Sequence, residues 1–331
     1  MNDVLNILGD INGKTVVDCT FGAGGYSRAF LERGANVIAF DRDPSVLPTA
    51  QKLEQEFGER FEFINEPFSE IRTLLCRLNN SPLGGSRRDK VEPVGGQDNN
   101  SPHRIAAGGG SATPPKGGSY YHAIVFDFGV SSMQIDTAER GFSWRFDSAL
   151  DMRMGVGANN HLPLQTATEL IRNSSVDNLA KILREYGDVK KADVIARAIK
   201  EKSPQTTFEL RDLIYNPKDI APVFQALRIA VNDELGEIKT ALAAVPALLA
   251  PGGVCACVTF HSLEDRLVKN IFREWTTAPG DPRIPAPMGV RGTPLQLLKT
   301  IKPTDAEIAA NPRARSAHLR AVRALHAEHR A

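Results

Sequence analysis

The stretch Asp18-Cys-Thr-Phe-Gly22-Ala-Gly24-Gly25-Tyr26-Ser-Arg28 follows a short apolar run at 15–17 and leads through a tight glycine turn into a helix-like segment. Strand, glycine turn and helix in that order form a nucleotide-type cofactor loop, because glycine tolerates positive φ and lets the backbone approach a ligand with no Cβ in the way. The next apolar run, Val37-Ile-Ala-Phe40, closes on Asp41-Arg42-Asp43 about one βαβ unit later. A carboxylate at that place can accept both hydroxyls of a ribose. Alone, the glycine loop fits an ordinary strand-to-helix turn equally well; with the spaced acid it favours a bound cofactor.

The type of cofactor follows from what the loop lacks. A dinucleotide fingerprint asks for a third small residue where the helix packs on the strand, and with Gly22 and Gly24 as the first two glycines that place is Ser27. No pyrophosphate-binding fingerprint is completed. The bulky Tyr26 in the turn also suits a ligand without pyrophosphate, such as S-adenosylmethionine.

Further out, 331 residues provide for roughly two domains with real cores, and a net charge of +1 gives no global footprint for nucleic acid or membrane. Any polyanion site must be local. The C-terminal stretch 311–331 offers one, with five arginines and three histidines against the single acid Glu328, although a solvated helix or frayed end reads equally well. Cys19, Cys76, Cys255 and Cys257 have no zinc spacing, which implies buried reduced thiols and no metal site. No stretch reaches membrane-span length, and neither a signal nor a transit peptide is visible. A cytoplasmic protein is expected, or one of an organellar matrix if the start is incomplete.

Apolar, β-rich runs at 15–17, 36–40, 61–64, 123–128 and 254–260 alternate with helical patterns, which predicts a parallel sheet covered on both faces. Between Leu78 and Ser119 the composition changes to nine glycines, five prolines and five serines in 42 residues, too little apolar surface to offset its ordering entropy. This predicts a disordered insertion within a first part of the sheet domain, residues 1–132. From Met133 to Pro222 helical patterns dominate, around 167–173, 176–186, 191–201 and 207–214, so an all-helical subdomain is inserted between two strands. A single long helix then carries Leu227, Val231, Leu235, Ile238, Leu242 and Val245 as a packing stripe that Pro251-Gly-Gly stops. It opens the second part of the sheet domain, 223–285, followed by a basic tail, 286–331.

Two further clusters carry chemistry. Val125-Phe-Asp127-Phe-Gly places Asp127 at the carboxyl edge of the sheet, where open α/β folds bind ligands. It can hold the cofactor, accept a hydrogen bond from a substrate amine, or cap the turn through Ser131 and Ser132. Phe260-His-Ser-Leu-Glu-Asp-Arg266 fits a helix cap made by Ser262 and Asp265, which leaves His261 to position a substrate base or contact phosphate.

Taken in order, residues 18–29, 40–44, 127–136, 139–143, 150–154, 224–235, 260–266 and 311–316 resemble the RsmH or MraW family of small-subunit ribosomal RNA cytosine-N4 methyltransferases. The resemblance covers nearly the whole chain apart from the insertion. It implies a Rossmann-like methyltransferase sheet interrupted by a helical substrate-recognition subdomain, which uses S-adenosylmethionine to methylate the exocyclic amine of a decoding-site cytidine. It implies Gly24, Gly25 and Tyr26 around the methionine part of the cofactor, Asp41 at the ribose and Phe68 at the adenine, with Asp127 and Gln134 completing the set. The implied partner is small-subunit ribosomal RNA or the assembled subunit.

The chain departs from the family in places. Tyr26 stands where histidine is usual, Asp147-Ser-Ala replaces Asp-Gly-Pro, Tyr186-Gly-Asp-Val replaces Tyr-Gly-Glu-Glu, and the opening His-x-Pro-Val is absent. A flipped base also needs a wall, for which Phe142 and Trp144 are candidates, while Arg313, Arg315 and Arg320 are candidates for phosphate contacts. Two other readings compete: a noncatalytic ribosome-assembly or RNA-binding factor, and a nicotinamide-dependent oxidoreductase, against which the incomplete loop speaks.

Overall fold

The computed structural model describes residues 1–80, 120–131, 134, 137–155, 165–277 and 295–325. Seven strands form one sheet in the order β3-β2-β1-β4-β5-β7-β6. They are β1 (Thr15–Asp18), β2 (Asn36–Phe40), β3 (Phe61–Ile64), β4 (Tyr121–Asp127), β5 (Leu249–Thr259), β6 (Leu295–Leu297) and β7 (His318–Ala324). The first five are parallel, whereas β7 runs antiparallel to β5 and β6 antiparallel to β7. This is a Rossmann-like sheet, and the order reverses between β1 and β4.

A parallel sheet covered on both faces requires apolar side chains in both directions, and the strands supply them. Val17, Ile124, Phe126, Cys255 and Cys257 join one layer with the helices Ile71–Asn80, Glu234–Leu248 and Ser262–Thr276. Val16, Val125, Ala256 and Val258 join the other with the helices Asn2–Leu8, Gly25–Glu32 and Leu47–Phe57. All four cysteines are free, and burial pushes the thiols of Cys19 and Cys257 well up, as expected for packing groups.

The expected disordered insertion falls on residues 81–119, outside the described residues; 78–80 close the helix Ile71–Asn80. After β4, the helices Ala167–Asn173, Val176–Gly187, Ala192–Lys202, Thr207–Asp212 and Pro217–Asn232 gather around a separate core that includes Leu150, Met152, Leu179, Leu183, Ile199 and Leu210. Each of the first two has a serine or threonine cap: Thr166 forms a reciprocal box with Glu169, and Ser175 accepts from the Asn178 N–H.

The single long helix expected to carry the 227–245 stripe is two helices. Asp233 sits at φ 46, in the left-handed region, and the chain breaks there between Pro217–Asn232 and Glu234–Leu248. Leu227 and Val231 therefore belong to the helical core, while Ile238, Leu242 and Val245 belong to the sheet. Truncating either group to alanine would cost about 2–5 kcal/mol, but in different cores. The break hands the chain from one layer to the next.

The segment read as a basic tail supplies the two antiparallel strands. Arg320 on β7 forms a two-pronged pair with Asp265, Nε at 2.7 Å and Nη2 at 2.9 Å, and also donates to Thr300. Its guanidinium is committed inside the fold, which corrects its assignment to RNA phosphate. Asp265, expected to cap its helix, is instead this anchor.

Candidate active site

The site lies along the carboxyl ends of β1, β2, β3, β4 and β5, on both sides of the order reversal. After β1 the chain turns through Gly22 at φ 51 and Gly24 at φ 77, and Gly25 opens the helix Gly25–Glu32. A Cβ on Gly24 would lie 3.0 Å from both Leu53 and Phe21, so a side chain there would crowd both in addition to the strain of its positive φ. Tyr26 is half-buried against Phe30, with ring centroids 6.0 Å apart. Burial and the nearby Asp127 push its hydroxyl far up, so it is a neutral donor.

Three carboxylates converge on this turn. Asp18, fully buried, accepts from the Ser27 hydroxyl at 2.7 Å and the Thr20 N–H at 3.2 Å, and burial lifts it to about 6. Asp41 accepts the Gly22 N–H at 2.8 Å and the Asp43 N–H at 2.9 Å; burial lifts it also to about 6. Asp127, on β4 beside β1, is pushed up to about 7 by burial and by the charge of Asp18. Thr20 ties the two strand ends together, its Oγ1 accepting the Asp127 N–H at 2.7 Å. Asp127 Oδ1 is buried with no hydrogen-bond partner among the described residues. An unpaired carboxylate oxygen is costly unless something arrives to bond it.

Phe68 follows β3 and meets Phe126 edge-on at 5.8 Å and Phe128 at 5.9 Å, an aromatic wall suited to a flat heterocycle. Gln134 is 7% exposed and donates through Nε2 to Asp43 at 2.8 Å, while its side-chain oxygen accepts the Ser131 N–H. The glycine turn, Asp41, Phe68, Asp127 and Gln134 are thus brought to one edge. The cradle, the aromatic wall and the unpaired Asp127 oxygen fit a nucleoside-bearing cofactor of the S-adenosylmethionine type.

His261 stands at the same edge after β5, in a different role from the expected one. It is itself the N-cap of Ser262–Thr276, with Nδ1 facing the Glu264 N–H at 3.4 Å, and Glu264 Oε2 accepts the N–H groups of Phe260 and His261. His261 Nε2 lies 3.0 Å from Glu264 Oε1, a close contact that leaves both atoms without a hydrogen bond. Burial works to raise Glu264, but the His261 contact and the Phe260 N–H outweigh it and hold the carboxyl below its ordinary range. Glu234, His261 and Glu264 bring ligand atoms within 4.8 Å of one another. Both Glu234 oxygens, however, are taken by Arg228 at 2.7 and 2.9 Å, so a guanidinium supplies the positive charge there.

Of the two aromatics expected to wall a flipped base, Phe142 is 8% exposed in the helical core, with Arg140 5.7 Å above its ring. Trp144 packs edge-on against Phe224 at 5.7 Å. Both support the core. Sequence reading missed Asp18, Asp43, Arg140, Asn232 and Glu264. The capping spacing His-x-x-Glu was the available signal for Glu264, and Asp18 stands within the glycine stretch beside its partners Thr20 and Ser27; the side-chain bonds that join Asp43 to Gln134 and Arg140, and Asn232 to the 152–154 backbone, span 78 residues or more.

Residues 1–325 match the MraW methylase family. The chain belongs to the MraW methylase family. A ribosomal RNA small subunit methyltransferase H from Chelativorans sp. (strain BNC1) is 39% identical, with 97% of this chain and 85% of that protein covered. The protein of the same name from Caulobacter vibrioides (strain NA1000 / CB15N) is 38% identical over 97% and 93%. Among solved structures, an rRNA methylase from Streptococcus thermophilus aligns over 97% of this chain and 93% of its own, at 11% identity and a TM-score of 0.38. A methyltransferase from Streptococcus mutans in complex with SAH aligns over 97% and 94%, at 13% identity and 0.38. The strand order establishes the Rossmann-like sheet independently of these likenesses. As an MraW methylase the chain is an S-adenosylmethionine-dependent enzyme, and a nicotinamide oxidoreductase is set aside. No helix among the described residues is long and apolar enough to cross a membrane.

Proposed function

We propose that this methylase acts in the cytoplasm on the N4 exocyclic amine of a cytidine in the decoding region of small-subunit ribosomal RNA. The observation that carries the chemistry is Asp127 Oδ1, buried, unpaired and beside the glycine turn. The relatives' name supports the substrate.

Bound S-adenosylmethionine supplies an electrophilic methyl group. Gly24, Gly25 and Tyr26 would hold its methionine part, Asp41 its ribose and Phe68 its adenine, with Gln134 closing the set. A cytosine amine is a poor nucleophile because its lone pair is delocalised into the ring. Asp127 offsets this by accepting a hydrogen bond from one N–H, which helps the nitrogen rehybridise. The Asp127 carboxylate would take the proton that the amine gives up on methylation, the cofactor supplying the methyl group and keeping the C–S electron pair on its sulfur. An acceptor lifted to about 7 is matched to that task near neutral pH. Holding nitrogen, carbon and sulfur in line carries most of the rate. His261 has a smaller part: it caps the helix Ser262–Thr276 at the edge of the pocket, and its Nε2, buried against Glu264, would reach a substrate base only if that contact opened. The helical region serves as the substrate-recognition part, and Arg313 and Arg315 contribute phosphate contacts. The substrate particle, RNA or assembled subunit, is decided by the test.

The test is transfer of radiolabelled methyl from S-adenosylmethionine to small-subunit particles and to naked RNA, with nucleoside mass spectrometry mapping the product. N4-methylcytidine in the decoding region supports the reading. Label in protein alone, or none in RNA, removes it and favours a noncatalytic assembly factor.

A further inference from the structure

β2 ends in three consecutive charged residues, and the structure sends each to a different place. Asp41 turns to the glycine loop through Gly22. The Arg42 Nη1 reaches the Asn232 carbonyl at 3.4 Å, and a Cβ on Gly155 would lie 3.0 Å from the Arg42 oxygen. Asp43, 2% exposed, points between them and gathers three donors. Its Oδ1 accepts the Ser45 N–H at 3.0 Å, while its Oδ2 accepts both Gln134 Nε2 at 2.8 Å and Arg140 Nη1 at 2.9 Å.

The two side chains on that one oxygen lead in opposite directions. Gln134 belongs to the cofactor edge. Arg140 continues into the helical region, its Nη2 donating to the carbonyls of Arg153 at 2.9 Å and Met154 at 3.0 Å. The strap at 150–154 is also held by backbone bonds, Met152 N–H to the Arg140 carbonyl at 3.0 Å and Leu150 N–H to the Gln205 carbonyl at 2.9 Å, and by buried Asn232, which donates to the Met152 carbonyl and accepts the Met154 N–H, each at 2.8 Å. Met152 is held at φ 62, a conformation an unbranched L-residue adopts only when its surroundings fix it. Burial alone would raise the Asp43 carboxyl; the bonds from Gln134, Ser45 and Arg140 hold it down and charged.

We propose that Asp43 is a positioning residue that sets Gln134 toward the cofactor and, through Arg140, fixes the 150–154 strap of the helical region. It touches neither reacting atom. Through it the pocket that holds the methyl donor and the part that presents the acceptor share one carboxylate oxygen. This extends the methyl-transfer reading and rests on it for the rate measurements only.

The experiment compares Asp43→Asn, Gln134→Ala, Arg140→Gln and the double variant D43N/R140Q in the full chain. S-adenosylhomocysteine affinity is read by calorimetry, methyl transfer to small-subunit particles at saturating cofactor, and hydrogen exchange at 150–154 with and without S-adenosylhomocysteine. Asp43→Asn is expected to weaken S-adenosylhomocysteine about tenfold and slow transfer about tenfold, the scale of one lost charge-assisted hydrogen bond in each direction. Gln134→Ala should reproduce the affinity loss, and Arg140→Gln the loss of rate with parental S-adenosylhomocysteine affinity. The double variant should be no slower than Asp43→Asn alone. S-adenosylhomocysteine should protect 150–154 in the parent and not in Asp43→Asn. Parental affinity and rate in Asp43→Asn, or losses that track only the folded fraction in all four variants, overturn the proposal. A parent that binds S-adenosylhomocysteine yet leaves small-subunit RNA unmethylated sinks the substrate assignment instead, and the affinity and exchange measurements still judge Asp43.

Discussion

The acids at the carboxyl edge of the sheet and the arginine-paired acids elsewhere titrate in opposite directions, and the edge acids are the more deeply buried. Burial lifts Asp18 and Asp41 to about 6 and Asp127 to about 7, and no arginine answers them. Asp43, Asp151 and Asp265, with side chains 3%, 25% and 19% exposed, are held below the ordinary range, each with an arginine against it: Arg140, Arg153 and Arg320. Burial sets the cost of a carboxylate in both regions. The partner decides whether the structure has already met that cost or leaves it for a ligand.

The largest effect that would break this contrast is on turnover. Asp127→Asn should slow methyl transfer by about a hundredfold or more at saturating cofactor, the range of a lost general base, with RNA affinity unchanged. The parent rate should rise with pH through about 7, where Asp127 ionises. Equal single-turnover rates for the variant and the parent would remove Asp127 from the chemistry.

Next comes cofactor affinity. Asp41→Ala should weaken S-adenosylhomocysteine roughly thirtyfold or more, the value of two hydrogen bonds to a charged acceptor, as read by calorimetry.

Stability should move the opposite way to activity. The Asp127 carboxyl rises from 3.8 to about 7 on folding. Its contribution to stability is therefore complete below about pH 4 and is lost as pH climbs through about 7, at a cost of roughly 4 kcal/mol at most. Asp127→Asn escapes that cost, so its Tm should exceed the parent's by several degrees at pH 8 and converge with it near pH 4. At the paired end, Asp265→Asn should lose about 1–2 kcal/mol at pH 7 by denaturant unfolding. Because the folded Asp265 pKa is depressed, that difference should vanish as pH falls below its ordinary value. Methyl transfer per folded molecule should be unchanged.

The smallest effect is expected on the surface. Arg28 and Glu56 meet at 2.7 Å with side chains 42% and 48% exposed, and Glu56→Ala should leave Tm unchanged within error. A clear fall would show that pairing stabilises regardless of burial, which would blur the contrast.

What the sequence disclosed follows the range of the interactions involved. The strands at 36–40 and 61–64 and the glycine exit of β1 were legible because apolar runs and turn chemistry are written locally. Asp127 was legible because a strand ended in it. The helix break at Asp233 was not: the stripe from Leu227 to Val245 keeps helical spacing across it, and only the presence of two cores at different heights shows why the chain must bend. The strand β7 was hidden because Arg320 and Arg323 interrupt its apolar pattern, and the Arg320 charge is cancelled by Asp265, 55 residues earlier. The bond from Gln134 to Asp43 spans 91 residues, and no local pattern announces it.

The antiparallel pairing of β7 with β5 also bears on how the protein is made. β5 lies in mid-sheet, yet one flank of it is completed only by residues 318–324, which leave the ribosome after everything else in the sheet. Until then a growing chain presents a row of open N–H and C=O groups on a strand rich in valine, alanine and cysteine, the kind of edge that recruits other chains. A stop codon just upstream of position 318 would leave the glycine turn and its acids untouched, and the product would be lost as aggregate before it met any substrate.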